Sequence, residues 1–294
     1  MKFSKITLLF FISIVIGAQS FTLQDDIGNS ISINEIPARV ISLAPNITEM
    51  IYQLNAEDKL VGNTAFCYYP EDAKYKNKVG DLLTINYEKI LELKPDLILL
   101  TVEGNQKTAY DKLLNLGLKL FVSNPRDYNG IKKTFEDLGN IFGEQSLAKS
   151  KIDYWDSTLS YIRTEAKKLN SHSVMILVEL NPIMVAGRNT FINTYIETCN
   201  MKNFAEDISL NYPIFSREVV IERDPFFIVY PSSGKETTKT LTNMYPEWEA
   251  LSAVKESRVL FVDRDLYFRP GPRFIEALED FYSRLLAAMK VRHR

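Results

Sequence analysis

Glu88–Leu100 reads EKILELKPDLILL, and it lies without a gap over Glu218–Tyr230, EVVIERDPFFIVY, at an offset of 130 residues. Glu88 falls on Glu218, Glu92 on Glu222 and Pro95 on Pro225. In each copy a short helix-like run stops at proline, which cannot continue a helix. An almost unbroken apolar run follows, the signature of a strand covered on both faces. A helix–Pro–strand unit that occurs twice predicts two lobes of similar build.

The surroundings extend the pattern. In the first half, Phe21–Pro37 reads as a β-hairpin around Asp26-Ile27-Gly28-Asn29, and Arg39–Leu43 as a buried strand. Asn46, with Glu49 three residues on, reads as a helix N-cap and its reciprocal partner, the helix running on through Leu54. A strand at Val61, a helix over Gln106–Leu116, a strand over Leu118–Val122 and a helix over Ile131–Phe142 follow. In the second half the order is strand Val174–Glu179, helix Phe191–Cys199, helix Arg217–Glu222 and strand Phe226–Tyr230. It ends with helix Met244–Leu251, strand Val259–Val262 and a closing helix from Arg273 to Met289. Strands alternating with helices predict α/β lobes with mainly parallel sheets.

Between the halves, Glu144–Leu169 contains neither glycine nor proline, and Leu147, Ile152, Trp155, Leu159 and Ile162 recur at helical spacing. At 1.5 Å per residue this predicts a connecting rod of roughly 40 Å. The expected division is a leader over 1–20, a lobe over 21–142, the connecting helix over 143–170 and a second lobe over 171–294. The leader carries Lys2 and Lys5, an apolar run Ile6–Ala18 and the small-x-small triplet Ala18-Gln19-Ser20. That is the form of a cleaved secretory signal. The apolar run is too short for a membrane span of about 20 residues, and no cysteine stands at the cleavage point to take a lipid. Export to a periplasm is the expectation.

Composition removes other classes. The chain of 294 residues is 46% hydrophobic and 24% charged, which excludes disorder, and its formal charge of −2 argues against a nucleic-acid partner. Two histidines and two cysteines are too few for most metal or nucleophilic sites. His172 and His293 read as solvated, and Cys67 and Cys199 as separate buried thiols. There is no G-x-S-x-G elbow, phosphate loop or dinucleotide fingerprint; Ser233-Gly234-Lys235-Glu236 meets the phosphate-loop pattern only at Gly-Lys. Hydrolysis by a carboxylate pair stays open, although nothing singles one pair out. Two lobes facing each other across a cleft favour capture of a small molecule over its conversion. A secreted cleft enzyme and a cell-surface adhesion module are the alternatives from other classes.

Five segments carry a resemblance: RVISLAPNITEMIYQLNAEDKLVG (39–62), CYYPEDAK (67–74), INYEKILELKPDLILL (85–100), FSRE (215–218) and DRDLYFRPGPRFIEALE (263–279). Together the chain resembles the substrate-binding proteins of bacterial ABC importers for vitamin B12 and iron–siderophores, and within them the vitamin B12 binders. The resemblance implies two Rossmann-like α/β lobes joined by one long α-helix, a cleft between them, and only small lobe movements. It implies a non-enzymatic monomer without a cofactor of its own, whose ligand is a metal chelate. One glutamate per lobe, Glu88 and Glu218 here, would dock on a dimeric inner-membrane permease. Ligand contacts would come from Phe66, Tyr212, Asp265 and Arg269, with Tyr267 and Arg273 as weaker candidates in the same loop. Three further positions, aromatic in the best-known B12 binder, are Leu82, Thr101 and Met184 here, so part of the flat-ring wall is replaced. Cobalamin is the first expectation; another corrinoid, a ferric siderophore or haem are the alternatives.

Overall fold

A strand that is apolar along its whole length needs a helix layer over each face, and the computed structural model, which describes residues 20–290, provides this twice. The predicted leader, save Ser20, and His293 lie outside the described residues. The first lobe opens with the antiparallel pair β1 (Phe21–Gln24) and β2 (Ser30–Ile33), then β3 (Val40–Ser42) and α1 (Pro45–Gln53). It continues with β4 (Leu60–Asn63), β5 (Asn77–Lys78), α2 (Tyr87–Leu93), β6 (Leu97–Thr101), α3 (Lys107–Asn115), β7 (Leu120–Ser123) and α4 (Tyr128–Phe142). The sheet order is β5-β4-β3-β6-β7, all parallel.

Helix α5 (Gln145–Ala166) crosses to the second lobe. There follow β8 (Ser173–Glu179), β9 (Met184–Val185), α6 (Asn193–Thr198), β10 (Lys202–Asn203), α7 (Arg217–Arg223), β11 (Phe227–Ser232) and α8 (Thr238–Met244). The chain closes with α9 (Ser252–Lys255), β12 (Val259–Asp263), α10 (Arg264–Tyr267) and α11 (Phe274–Lys290). The parallel order is β10-β8-β11-β12, with β9 antiparallel on β8. Strand for strand this repeats β4-β3-β6-β7.

The repeat holds down to the helix ends. Asn86 and Ser216 cap α2 and α7, their side chains accepting from the amides of Lys89 at 2.9 Å and Val219 at 3.4 Å. Lys94 and Asp224 close the two helices in the left-handed region, at φ 45° and 37°. Such a residue turns the chain out of the helix so that the proline can follow.

Alternation along each strand divides the core into three. Leu97 and Leu99 of β6, Phe227 and Val229 of β11, and Val174 and Ile176 of β8 point into one cluster shared by both lobes. Ile98 and Leu100 point into a second cluster confined to the first lobe, and Ile228, Met175 and Leu177 into a third confined to the other. Helix α5 joins the shared cluster through Ala148, Ile152, Trp155, Leu159 and Ile162, spaced three and four apart. Helix α11 adds Phe274, Leu278, Phe281 and Leu285. Gly139 is required where α4 meets α5, since a Cβ there would stand 2.6 Å from that of Ala148.

Three local expectations are corrected. The helix expected over Met244–Leu251 begins earlier, because Thr237 and Thr240 form a capping box that starts α8. It stops at Tyr245, the residue before Pro246, where proline disfavours helical backbone, and Pro246–Ala250 is a 3₁₀ turn. The cap of α1 is Ala44, with Pro45 in its first turn, so Asn46 and Glu49 do not form a capping box. His172 is not merely solvated but stacks on Phe226, ring centroids 3.7 Å apart.

Candidate ligand-binding cleft

Parallel α/β sheets offer ligands the crevice at the carboxyl ends of their strands, where the strand order reverses. In the first lobe that point lies between β3 and β6; in the second, between β8 and β11. A cavity of about 410 Å³ occupies the space between the lobes at these ends. Ala44 and Asn46 follow β3, Thr101 ends β6 with Glu103 and Gly104 just after it, and Asn124 and Pro125 follow β7. From the other side come Val178 of β8, Phe191 and Ile192 before α6, and Arg264, Asp265, Phe268 and Arg269 after β12.

Of the eight expected ligand residues, Phe66, Leu82, Thr101, Tyr212, Asp265 and Arg269 line this one cavity. Met184 and Tyr267 do not. Met184 opens β9, opposite Glu179 on β8. Tyr267 is buried in the shared core, its hydroxyl donating to Asp280 at 2.6 Å. Arg269, just past the end of α10, turns back to donate to Asp265 and both line the cavity, whereas Tyr267 between them points into the core. Arg273 likewise lies outside the lining.

The apolar wall is Phe66, half-exposed at the mouth, with Leu82, Phe191, Ile192, Tyr212 and Phe268. Burial, reinforced by the charge of Glu103, pushes the Tyr212 hydroxyl up to about 12, so it is a neutral donor at physiological pH. Thr101 is committed locally: its Oγ1 accepts from the Gly104 amide at 3.0 Å and shapes the β6–α3 turn. Phe66 rides on a loop held by Lys78, whose ammonium donates to Asn63 Oδ1 at 2.7 Å and to the carbonyls of Cys67 and Ala73 at 3.0 and 2.9 Å. Burial among these neutral acceptors holds the Lys78 pKa below its ordinary value. Cys67 and Cys199 are buried and free.

The polar wall is a network. Arg269 donates to Asp265 Oδ1 at 2.8 Å, and the Tyr68 hydroxyl donates to Asp265 Oδ2. Behind them Arg269 and Arg273 both reach Glu49 of α1, at 2.8 to 3.0 Å. Sequence reasoning missed Glu49, Tyr68, Glu103 and Phe191. For Glu49 the signal pointed elsewhere, because Asn-x-x-Glu is also the spacing of a helix cap.

Outside the cleft, Glu88 and Glu218 are exposed in the first turns of α2 and α7. Acidic side chains there are favoured by the helix dipole. The Ser216 hydroxyl and the residue's own amide hold the Glu218 pKa below its ordinary value. Among the described residues no helix is long and apolar enough to cross a membrane, and no cluster of three metal-binding side chains occurs.

The family described as periplasmic binding protein matches residues 40–266. The chain is 32% identical to the uncharacterized ABC transporter substrate-binding lipoprotein YvrC of Bacillus subtilis, over 88% of this chain and 83% of that one. It is 28% identical to the vitamin B12-binding protein of Pectobacterium carotovorum, over 86% of this chain and 90% of that one. The crystal structure of the periplasmic vitamin B12 binding protein BtuF of Vibrio cholerae superposes with a TM-score of 0.75 at 29% identity, covering 87% of this chain and 99% of that one. With its paired lobes, long crossing helix and cleft at the strand ends, this chain belongs to the periplasmic binding protein family.

Proposed function

We propose that the protein is an exported solute-binding protein that captures cobalamin or a close corrinoid between its lobes and delivers it, without converting it, to an ABC importer. The observation that carries this reading is the cavity itself, where an apolar wall faces a prearranged Asp–Arg pair. Flat apolar surface suits the face of a macrocycle, and the pair suits its peripheral amides. Such a site recognises a chelate from outside its coordination sphere. Among the residues lining the cavity there is no histidine, cysteine or methionine, and the one phenol is Tyr212. Haem, which leaves an axial position for the protein to fill, would have to take that phenol, whereas a chelate whose metal is already fully coordinated needs no ligand from the wall.

The test is calorimetry of the purified protein with cyanocobalamin. Saturable one-to-one binding with unaltered ligand recovered is the expected result. Turnover of the ligand, or no binding where a ferric siderophore or haemin does bind, overturns the assignment. Delivery is expected to use Glu88 and Glu218, one per lobe, on a permease built from two equivalent halves. Exposed ion pairs add little affinity but set orientation and encounter rate. Changing both together, Glu88→Lys with Glu218→Lys, should abolish uptake in cells while leaving cyanocobalamin affinity unchanged; a matching loss of affinity would place them in the cleft instead.

A further inference from the structure

Glu49 is a carboxylate from the first lobe buried against the second. It lies on α1, only 2% exposed, and touches residues 220 and 224 positions away. Oε1 accepts from Arg269 Nη1 at 3.0 Å and from Arg273 Nη2 at 2.8 Å, while Oε2 accepts from Arg273 Nε at 2.8 Å. Both guanidinium groups are themselves about nine-tenths buried. Arg269 passes the contact on to Asp265, and Asp265 accepts from Tyr68 of the first lobe. The chain Glu49–Arg269–Asp265–Tyr68 thus crosses the seam twice and closes on the lobe where it began. Tyr68 and Tyr69 lay their rings over Arg269 and Arg273, at 4.7 and 3.9 Å from the guanidinium carbons. Beside it, Asn46 Nδ2 donates to the carbonyl of Pro270 at 3.2 Å.

We propose that Glu49 is a positioning residue. It fixes the head of Arg269, and through it Asp265, at the cavity wall, and pins the spacing of the two lobes. Helix α1 gives it the stiffness to do so, since Ile47, Met50 and Ile51 on the same helix are fully buried in the shared core. Arg273 takes up the second oxygen, which leaves the carboxylate a single orientation. Without the carboxylate the two guanidinium groups would face each other as buried like charges, and Arg269 would turn toward Asp265 or the mouth. Ligand groups meeting an already oriented pair lose less entropy on binding, and that preorganisation appears as affinity. The ligand-binding part of the inference rests on the function proposed above; the part concerning lobe spacing does not.

The test uses the isosteric Glu49→Gln, which keeps shape and one acceptor but removes the charge, with circular dichroism confirming that the variant is folded before binding is measured. Cyanocobalamin affinity should fall about tenfold. In an Arg269→Ala background the same change should add clearly less than its full tenfold, because the route through Arg269 is gone and only lobe spacing through Arg273 remains; independent losses would instead multiply. A second reading needs no ligand. Spin labels at Tyr75→Cys and Lys235→Cys, exposed on opposite lobes while both native thiols are fully buried, report the distance between lobes. Glu49→Gln should broaden that distance distribution in the free protein. Unchanged affinity, multiplying losses or an unchanged distribution each overturn the proposal. If the native protein fails to bind cyanocobalamin at all, the functional assignment falls and the spin-label result alone judges the positioning role.

Discussion

The loop after β6 and the loop after β11 occupy equivalent places in the two lobes, yet only the first opens onto the cavity. Thr101 at the end of β6, and Glu103 and Gly104 in the loop after it, line the cleft. In the second lobe Glu236 folds back over the strand end. Its carboxylate accepts from the Ser232 hydroxyl and the Ser233 amide, both at 2.8 Å, and from the Ser233 hydroxyl at 2.9 Å. The second lobe presents its charges one strand later, from Arg264 to Arg269 after β12. Duplicated topology creates equivalent strand ends, and the side chains that follow each end make one an open wall and the other a closed turn.

If the two lobes are one cooperative body, the same cut in either should melt both. Leu97 and Phe227 are repeat-related, essentially fully buried, and both point into the shared cluster. Phe227→Ala should cost about 3–5 kcal/mol and Leu97→Ala about 2–5 kcal/mol. Each should give a single coincident transition by fluorescence and circular dichroism during denaturant unfolding. Two separated transitions would break the picture of a common core.

The contrast between the loops predicts unequal effects on binding. Arg269→Ala should weaken cyanocobalamin capture by about 2 kcal/mol or more, at least about 30-fold, since it strands a buried partner. Glu236→Gln, outside the cavity lining, should leave titrations unchanged. The helix caps should behave alike: Asn86→Ala and Ser216→Ala each lose about 0.5–2 kcal/mol in melting experiments. A large inequality would show that the resemblance of α2 and α7 is only one of shape.

The smallest expected effect depends on pH. Hydrogen bonds from Ser232 and then Ser233 lower the Glu236 pKa to about 2, against 4.5 for an unperturbed glutamate. A depressed folded-state value means that the stabilisation is complete above the unfolded pKa and is lost as pH falls through the folded one. The melting difference between native protein and Glu236→Gln should therefore be constant at neutral pH, shrink below about pH 4.5 and vanish near pH 2. A difference that persists in acid would mean that the hydrogen bonds act without the charge.

Much of the architecture was legible because long-period signals survive in sequence. Thirteen-residue echoes, strands apolar on both faces and the stripe on α5 each draw on several residues at once. Short features were not: β5, β9 and β10 are two-residue strands formed by tertiary pairing rather than by their own pattern. In the cleft, Asp265 and Arg269 came forward only through the family resemblance of 263–279, while their partners Glu49 and Tyr68 stand about two hundred positions away. Tyr267 was expected at the ligand because residues 264–267 were read as loop; as the helix α10 they turn Tyr267 into the core, away from Asp265.

The shared cluster carries one further consequence. Because the seam between the lobes is lined with the same close-packed side chains as their interiors, prising them far apart would expose core and approach the cost of unfolding. With that much core in common, the lobes are expected to turn against each other through small angles only.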